Sequence, residues 1–168
     1  IAIYSFEEGI KLTPLAITEE AINKVVGFLA KLHSISVNKY FRLGSAACLS
    51  LDDYLNVIDL RLKRLKKVDV IEPDLRNVKT FLEDLVCPKI HKLKQVFLEK
   101  TENTKRSLSL TLEEQAYTNG DFGFHNILIR SDGSHVYLDF EYFGRDDPVR
   151  EILGFVHHDS SMGIDKRL

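Results

Sequence analysis

Asn119-Gly120-Asp121-Phe122-Gly123-Phe124-His125-Asn126, leading directly into Ile127-Leu128-Ile129, is the stretch on which the reading of this chain turns. A polar loop punctuated by glycines runs into a short apolar strand, so its side chains collect at a strand end. Downstream, Ser131-Asp132-Gly133-Ser134 separates that strand from a second apolar run, Val136-Tyr137-Leu138. Asp-Gly between two apolar runs is a strong hairpin signal, because these residues tolerate the positive φ of a tight turn. With Asp132 and Gly133 as the two loop residues, Ser131 pairs with Ser134. Asn126 is then expected opposite Asp139, with Cα atoms roughly 4.5–5.5 Å apart.

A carboxylate and an amide oxygen that close can share one hard cation. Magnesium prefers a few protein oxygens completed by water and substrate phosphates. Asp121 lies in the short loop just before Asn126 and must stay near the same end of the ribbon. One carboxylate beside a two-ligand metal pair is what phosphoryl transfer requires: the metal neutralises phosphate charge, and the carboxylate orients the attacking hydroxyl and takes its proton. Residue types alone leave a plainer reading open, since Asp and Asn are also common turn residues.

Taken together, residues 119–126 with the following Ile127-Leu128-Ile129 resemble the catalytic loop of the aminoglycoside phosphotransferase and choline kinase superfamily. Tyr137-Leu138-Asp139-Phe140-Glu141-Tyr142-Phe143-Gly144-Arg145-Asp146-Asp147-Pro148 resembles its metal-binding segment. The pairing of Asp121-Phe122-Gly123-Phe124-His125-Asn126 with Asp139-Phe140-Glu141-Tyr142 is similar to a bacterial branch of that superfamily. The resemblance implies Asp121 as catalytic base and Asn126 and Asp139 as magnesium ligands, with Glu141 and Arg145 as candidate substrate contacts. It also implies ATP or another nucleoside triphosphate as phosphate donor, and a small-molecule hydroxyl as acceptor: an amino-alcohol, a sugar or an aminoglycoside-like compound.

Upstream, Tyr4-Ser5-Phe6-Glu7-Glu8-Gly9 resembles the hinge that receives adenine, which makes Ser5, Phe6 and Glu7 the nucleotide-binding candidates. Leu29-Ala30-Lys31-Leu32-His33 resembles the His-ending helix that follows the hinge. Three departures stand out. Asn119 replaces a histidine usual in relatives. Gly123 leaves out a cationic or imidazole side chain found there, with His125 the nearest substitute. Glu151 is the nearest candidate for the helix acid that braces the catalytic loop.

The expected fold is α+β and predominantly helical: a kinase-like C-terminal lobe carrying a small catalytic β-hairpin. Residues 1–12 are expected to form a hinge-like strand and linker, and residues 13–168 the lobe, with the catalytic loop at 119–126 and the metal-binding segment at 137–148. The chain begins at Ile1, and its nine glycines include no Gly-x-Gly pair. The phosphate-covering N-terminal lobe of kinase-like enzymes is therefore expected to be missing. That leaves a non-catalytic, truncated or regulatory lobe acting through a partner as the alternative to a small-molecule kinase.

Helix signals fill the first two thirds. Thr18 is an N-cap followed by Glu19 and Glu20, and Ile22, Val25, Val26, Leu29 and Leu32 recur at helical spacing, predicting a helix over 18–33. Ser50 and Asp53 form a capping-box start for a helix continuing to about residue 68. Pro73 opens a third helical stretch, which Pro88 is expected to kink or break. Residues 100–109 are polar and expected as loop, and residues 1–6 as a short strand. His157-His158-Asp159 is not expected to form a metal site, because adjacent helix residues do not face one another.

Composition narrows the function classes. At 44% hydrophobic and 29% charged, the chain has apolar material enough for a real core. A net charge of −2 supplies no basic field for nucleic acid. Basic residues 61–67 fall at a helix end, where the dipole favours cations. No apolar run approaches the roughly 20 residues of a membrane helix. Cys48 and Cys87 show no metal-type spacing, so the expected setting is a reducing cytoplasm.

Overall fold

The computed structural model describes residues 6–67, 73–158 and Ser161. In chain order the elements are α1 (Glu19–His33), α2 (Leu51–Leu65), α3 (Pro73–Phe81), a π-helical turn (Leu82–Val86), α4 (Cys87–Lys100), α5 (Asn103–Arg106), β1 (Ala116–Thr118), β2 (Ile127–Ile129), β3 (His135–Tyr137), β4 (Gly144–Asp146) and α6 (Pro148–His157). The helices α1 and α2 each run 15 residues while every strand has 3, so the chain is a mixed fold in which helix prevails. Two compact units divide it: Ile1–Ala47 with Leu110–Leu168, and Cys48–Ser109.

The first unit is built around α1. Thr18 caps it, its hydroxyl accepting the Ala21 N–H at 3.2 Å. Ala21, Val25, Leu29 and Leu32 are buried at the spacing of one helical face. Against Ala21, Val25 and Leu29 pack Phe122, Phe124, Ile127 and Phe155. Val25, Phe124 and Ile127 are at most 1% exposed, and each such side chain contributes about 1.5–3 kcal/mol through removal from water. Phe28 stacks on Tyr137 with ring centroids 3.7 Å apart. Phe122 and Phe124 both lie against Phe155 of α6, so the loop after β1 is wedged by its own aromatics between α1 and α6.

Two antiparallel pairs complete this unit. β2 and β3 form the expected hairpin, but its register differs by one residue from the two-residue-loop expectation. Ile127 faces Tyr137, Leu128 faces Val136 and Ile129 faces His135. The loop is Ser131-Asp132-Gly133, closed by the Arg130 N–H on the Ser134 carbonyl at 2.9 Å. Gly133 takes φ +79°, whereas Asp132 stays at negative φ and uses its side chain to accept the Ser134 N–H at 2.8 Å. One left-handed residue, at Gly133, suits the three-residue loop; a two-residue Asp-Gly loop of type I′ would need Asp132 at positive φ as well. Leu138, not Asp139, therefore pairs with Asn126, its N–H donating to the Asn126 carbonyl at 2.9 Å.

β1 pairs with β4 from Ala116–Asp146 to Thr118–Gly144, and Leu43 adds a parallel bridge to Arg145. Ile10 makes an isolated antiparallel bridge to Ile129 on the other edge of β2. The strand expected over 1–6 lies outside the described residues, save Phe6, which belongs to no strand.

Tyr137 ties the hairpin to α1, its hydroxyl donating to the Lys24 carbonyl at 3.2 Å. Burial raises its phenol to about 12 from an ordinary value near 10. The folded state thus keeps this proton at pH values where the unfolded chain has released it. Its contribution to stability is complete below pH 10 and is lost as pH rises from 10 through about 12. Urea midpoints measured across that window should fall more steeply for the parent protein than for Tyr137→Phe. Equal slopes would count against a buried phenol.

In the second unit, α2 starts on a full capping box: the Ser50 hydroxyl accepts the Asp53 N–H at 3.2 Å, and the Asp53 carboxylate accepts the Ser50 N–H at 2.9 Å. The helix ends at Leu65 with Lys66 as its C-cap, earlier than residue 68. Pro88 neither ends the helical run nor interrupts it at its own position. The π turn at Leu82–Val86 precedes it, with the Cys87 N–H reaching back to Leu82. Proline has no N–H and its ring crowds the preceding turn, and the π turn lies in that preceding turn. Residues 100–109 include α5, begun by the Glu102 carbonyl accepting from Lys105 and Arg106. Both cysteines are free thiols, and no helix among the described residues is long and apolar enough to cross a membrane.

Candidate active site

The loop leaving β1 begins at Asn119, 1% exposed, where it is held from three sides. Its N–H donates to Glu151 Oε1 of α6 at 2.5 Å, its Oδ1 accepts the Asp121 N–H at 3.2 Å, and its Nδ2 donates to the Leu138 carbonyl at 3.3 Å. Glu151 Oε2 in turn meets His33 Nε2, at the end of α1, at 2.7 Å. Asn119 thus joins the start of the loop to the hairpin strand that leads to Asp139. An asparagine has the donor and acceptor that this double link requires.

Gly120 follows at φ +84°, and a Cβ there would stand 2.9 Å from Tyr142 Cβ. The backbone turns where only glycine fits easily, and residues 120 and 142 come into close approach. Next comes Asp121, with 44% of its side chain exposed, so the carboxylate points to where an incoming molecule reaches it. Its carbonyl accepts from Asn126 Nδ2 at 3.0 Å, and its Oδ2 lies 3.4 Å from His125 Nε2. The Asn126 side chain therefore closes the loop with its nitrogen and keeps its amide oxygen as a potential cation ligand.

Asp139, the residue after Leu138, adopts φ +58°. A non-glycine residue in the left-handed region is sparsely populated and concentrated at functional turns, with Asp among the residue types that tolerate it best. The kink carries residues 139–143 back toward the loop. The Phe143 and Glu141 carbonyls accept from the Arg42 guanidinium at 2.8 and 2.9 Å, and the Tyr142 carbonyl accepts the Ser45 N–H at 3.1 Å. The Tyr142 phenol is pushed above its usual range, first by its hydrogen bond to Glu141 and that residue's charge, with smaller contributions from burial, Asp139 and Asp121. Glu141, Asp139 and Asp121 thus all lie near this phenol. The Asn126 amide oxygen and the Asp139 carboxylate are the hard oxygen donors that magnesium takes, so the residues present fit that ion.

The other candidates are placed differently. Arg145 in β4 donates from Nε to the Phe41 carbonyl at 2.8 Å and from Nη1 to Gln115 Oε1 at 2.9 Å. Asp146 pairs with Arg150, and Asp147 caps α6 by accepting the Val149 N–H at 2.8 Å. Ser5 lies outside the described residues. Phe6 is 87% exposed, and Glu7 pairs with Arg130 at the hairpin tip. Among neighbours that sequence spacing did not bring forward, His158 stacks on His125 with centroids 4.1 Å apart. No spacing rule links residues so far apart in sequence.

A protein-family model described as a phosphotransferase enzyme family matches residues 1–167. No curated protein and no solved structure matches the chain.

Proposed function

Starting from the premise that this chain belongs to the phosphotransferase enzyme family, we propose that it carries the catalytic and metal-binding residues for transferring the γ-phosphoryl group of ATP, or another nucleoside triphosphate, to a small-molecule hydroxyl. Amino-alcohols, sugars and aminoglycoside-like compounds are the acceptor classes. The supporting observation is one hydrogen-bonded assembly: Asn126 bonds the Asp121 carbonyl through its side chain and the Leu138 N–H through its own carbonyl, so base, amide ligand and the residue before Asp139 are held together.

In this reading Asp121 accepts a hydrogen bond from the acceptor hydroxyl, aims its oxygen at the phosphorus, and takes its proton as the new P–O bond forms. Asn126 and Asp139 would hold magnesium, which would neutralise charge on the phosphate oxygens. Asn119 and Glu151 fix the loop so that the base is in place before substrate arrives, which saves reorganisation during the reaction. Ser5, Phe6 and Glu7 are the proposed nucleotide contacts, and Glu141 and Arg145 the proposed substrate contacts. Free thiols at Cys48 and Cys87 agree with the reducing, cytoplasmic setting that belongs to the same proposal, with no nucleic acid or membrane as partner.

The test uses the protein as its source produces it, with ATP, magnesium and a panel of those acceptors, and follows formation of a phosphate ester by mass. Asp139→Asn should raise the magnesium concentration needed for half-maximal rate, because an amide is a weaker ligand than a carboxylate. A panel without any phosphorylated product would defeat the proposal, and an unaltered magnesium requirement would remove Asp139 from the ligand set.

A further inference from the structure

Three side chains of metal-ligand type, Asp121 among them, converge without belonging to the oxygen pair of Asn126 and Asp139. Asp121 and His125 come from the loop after β1, and His158 from the C-cap of α6. Each offers one ligand atom, and these atoms all lie within 4.8 Å of one another. The Asp121 Oδ2 to His125 Nε2 separation is 3.4 Å. A tetrahedral ion with metal–ligand bonds of about 2.0–2.1 Å places neighbouring ligand atoms about 3.3–3.4 Å apart, so this edge already has the required length. The His125 and Asp121 side chains are 29% and 44% exposed, which leaves an open side for entry and for a water as fourth ligand.

The ligand types decide the kind of ion. Two imidazoles and one carboxylate suit zinc and its borderline neighbours, whereas magnesium takes oxygen. The His125 and His158 rings stand nearly parallel, at 13°, and parallel rings do not aim their lone pairs at one point. Binding therefore requires one of the two rings to turn about χ2, a broad and soft torsion for histidine.

We propose that Asp121, His125 and His158 form a binding site for a divalent cation of the zinc class, and that filling it inhibits phosphoryl transfer by turning Asp121 from a proton acceptor into a metal ligand. The inhibitory half rests on the proposed role of Asp121; the binding half does not. Two metals would then act oppositely in neighbouring sites sorted by ligand softness.

Cobalt(II) is the probe, because tetrahedral cobalt absorbs visible light far more strongly than octahedral cobalt. Titration into the metal-free protein should give one equivalent of tetrahedral cobalt, displaced by zinc and not by excess magnesium. His125→Ala and His158→Ala should each weaken cobalt binding by at least about tenfold, since even indirect supports of metal ligands are worth that much. His157→Ala, one residue along the chain, should leave it unchanged. His158→Gln replaces His158→Ala if the latter disturbs folding by circular dichroism. Pale octahedral cobalt, or affinity indifferent to both histidines, would overturn the site. In the transfer assay, the zinc concentration that halves the rate should rise in His158→Ala by the same factor as the dissociation constant. Zinc bound with the tetrahedral signature but without effect on turnover would leave the site standing and overturn the inhibition. A protein with no measurable transfer would undo the proposed function while the cobalt titration still decided the site.

Discussion

Asp121→Ala lowers kcat by about 10²–10⁴-fold, the contribution of a positioned general base. The expectation depends on where the carboxylate sits. Its backbone is held at both ends, through its N–H by Asn119 and through its carbonyl by Asn126. Neither bond involves the Asp121 side chain, so truncation removes the proposed base and, apart from its 3.4 Å contact with His125 Nε2, leaves the loop's hydrogen bonds in place. With 44% of the side chain exposed, little packing is lost either, and the unfolding midpoint should hardly move. The magnesium requirement should also persist, because the proposed ligands Asn126 and Asp139 are untouched. Asp121→Asn sharpens the comparison: it keeps the shape and can still orient a hydroxyl, but it accepts no proton at neutral pH. A kcat unchanged in both variants, measured with saturating acceptor, would rule out a base at residue 121. A fall in kcat accompanied by an equal loss of stability would instead mark Asp121 as structural.

Glu151→Ala is expected to destabilise the protein by about 3–5 kcal/mol, the cost of removing one member of a buried pair and leaving the rest unmatched. The Glu151 side chain is 1% exposed, against 17% for His33. Its two oxygens serve different partners, the Asn119 N–H and His33 Nε2. Alanine strands both and opens a cavity under the loop. Glu151→Gln retains one acceptor for Asn119 and should cost less. Urea unfolding followed by fluorescence of the tyrosines measures the difference through the midpoint at constant slope. A double-mutant cycle with His33→Ala isolates the His33–Glu151 part. A loss below about 1 kcal/mol for Glu151→Ala, the range of exposed ion pairs, would show that the brace is dispensable. Because the Asn119 N–H opens the loop that carries the proposed base, Glu151→Gln should also lower kcat while leaving the magnesium requirement nearly unchanged.

Much of the local structure was legible in the sequence because it is written in short-range chemistry. Thr18 with Glu19 and Glu20, and Ser50 with Asp53, are start signals whose partners lie within one helical turn, and both helices begin there. The apolar face of α1 needs only the 3.6-residue period. The hairpin was legible in kind but not in register: Asp132-Gly133 announces a turn, yet whether Asp132 joins Gly133 at positive φ depends on competing side-chain bonds such as Asp132 to Ser134. That one-residue difference moves Asp139 out of the rung opposite Asn126, since a slip of one reverses every side chain in a strand. Asp139 instead follows Leu138 in a left-handed turn, and the Asn119 amide ties Leu138 to the start of the loop that carries Asp121.

By itself, then, the sequence determined the helix starts, the hairpin, the core face of α1 and the set of polar residues around 119–126 and 139, because each depends on neighbours within a few residues. It also carried the family resemblance, which rests on the same motifs. Only the tertiary structure decided the pairing of β1 with β4, whose Gly144-Arg145-Asp146 has no strand character and becomes a strand through Leu43 and Thr118 alongside it. The same holds for the His33–Glu151–Asn119 brace and for the meeting of His158 with His125 and Asp121. These contacts join residues far apart in the chain, and their energy comes from burial and hydrogen bonds that exist only after α1, the loop and α6 have packed together.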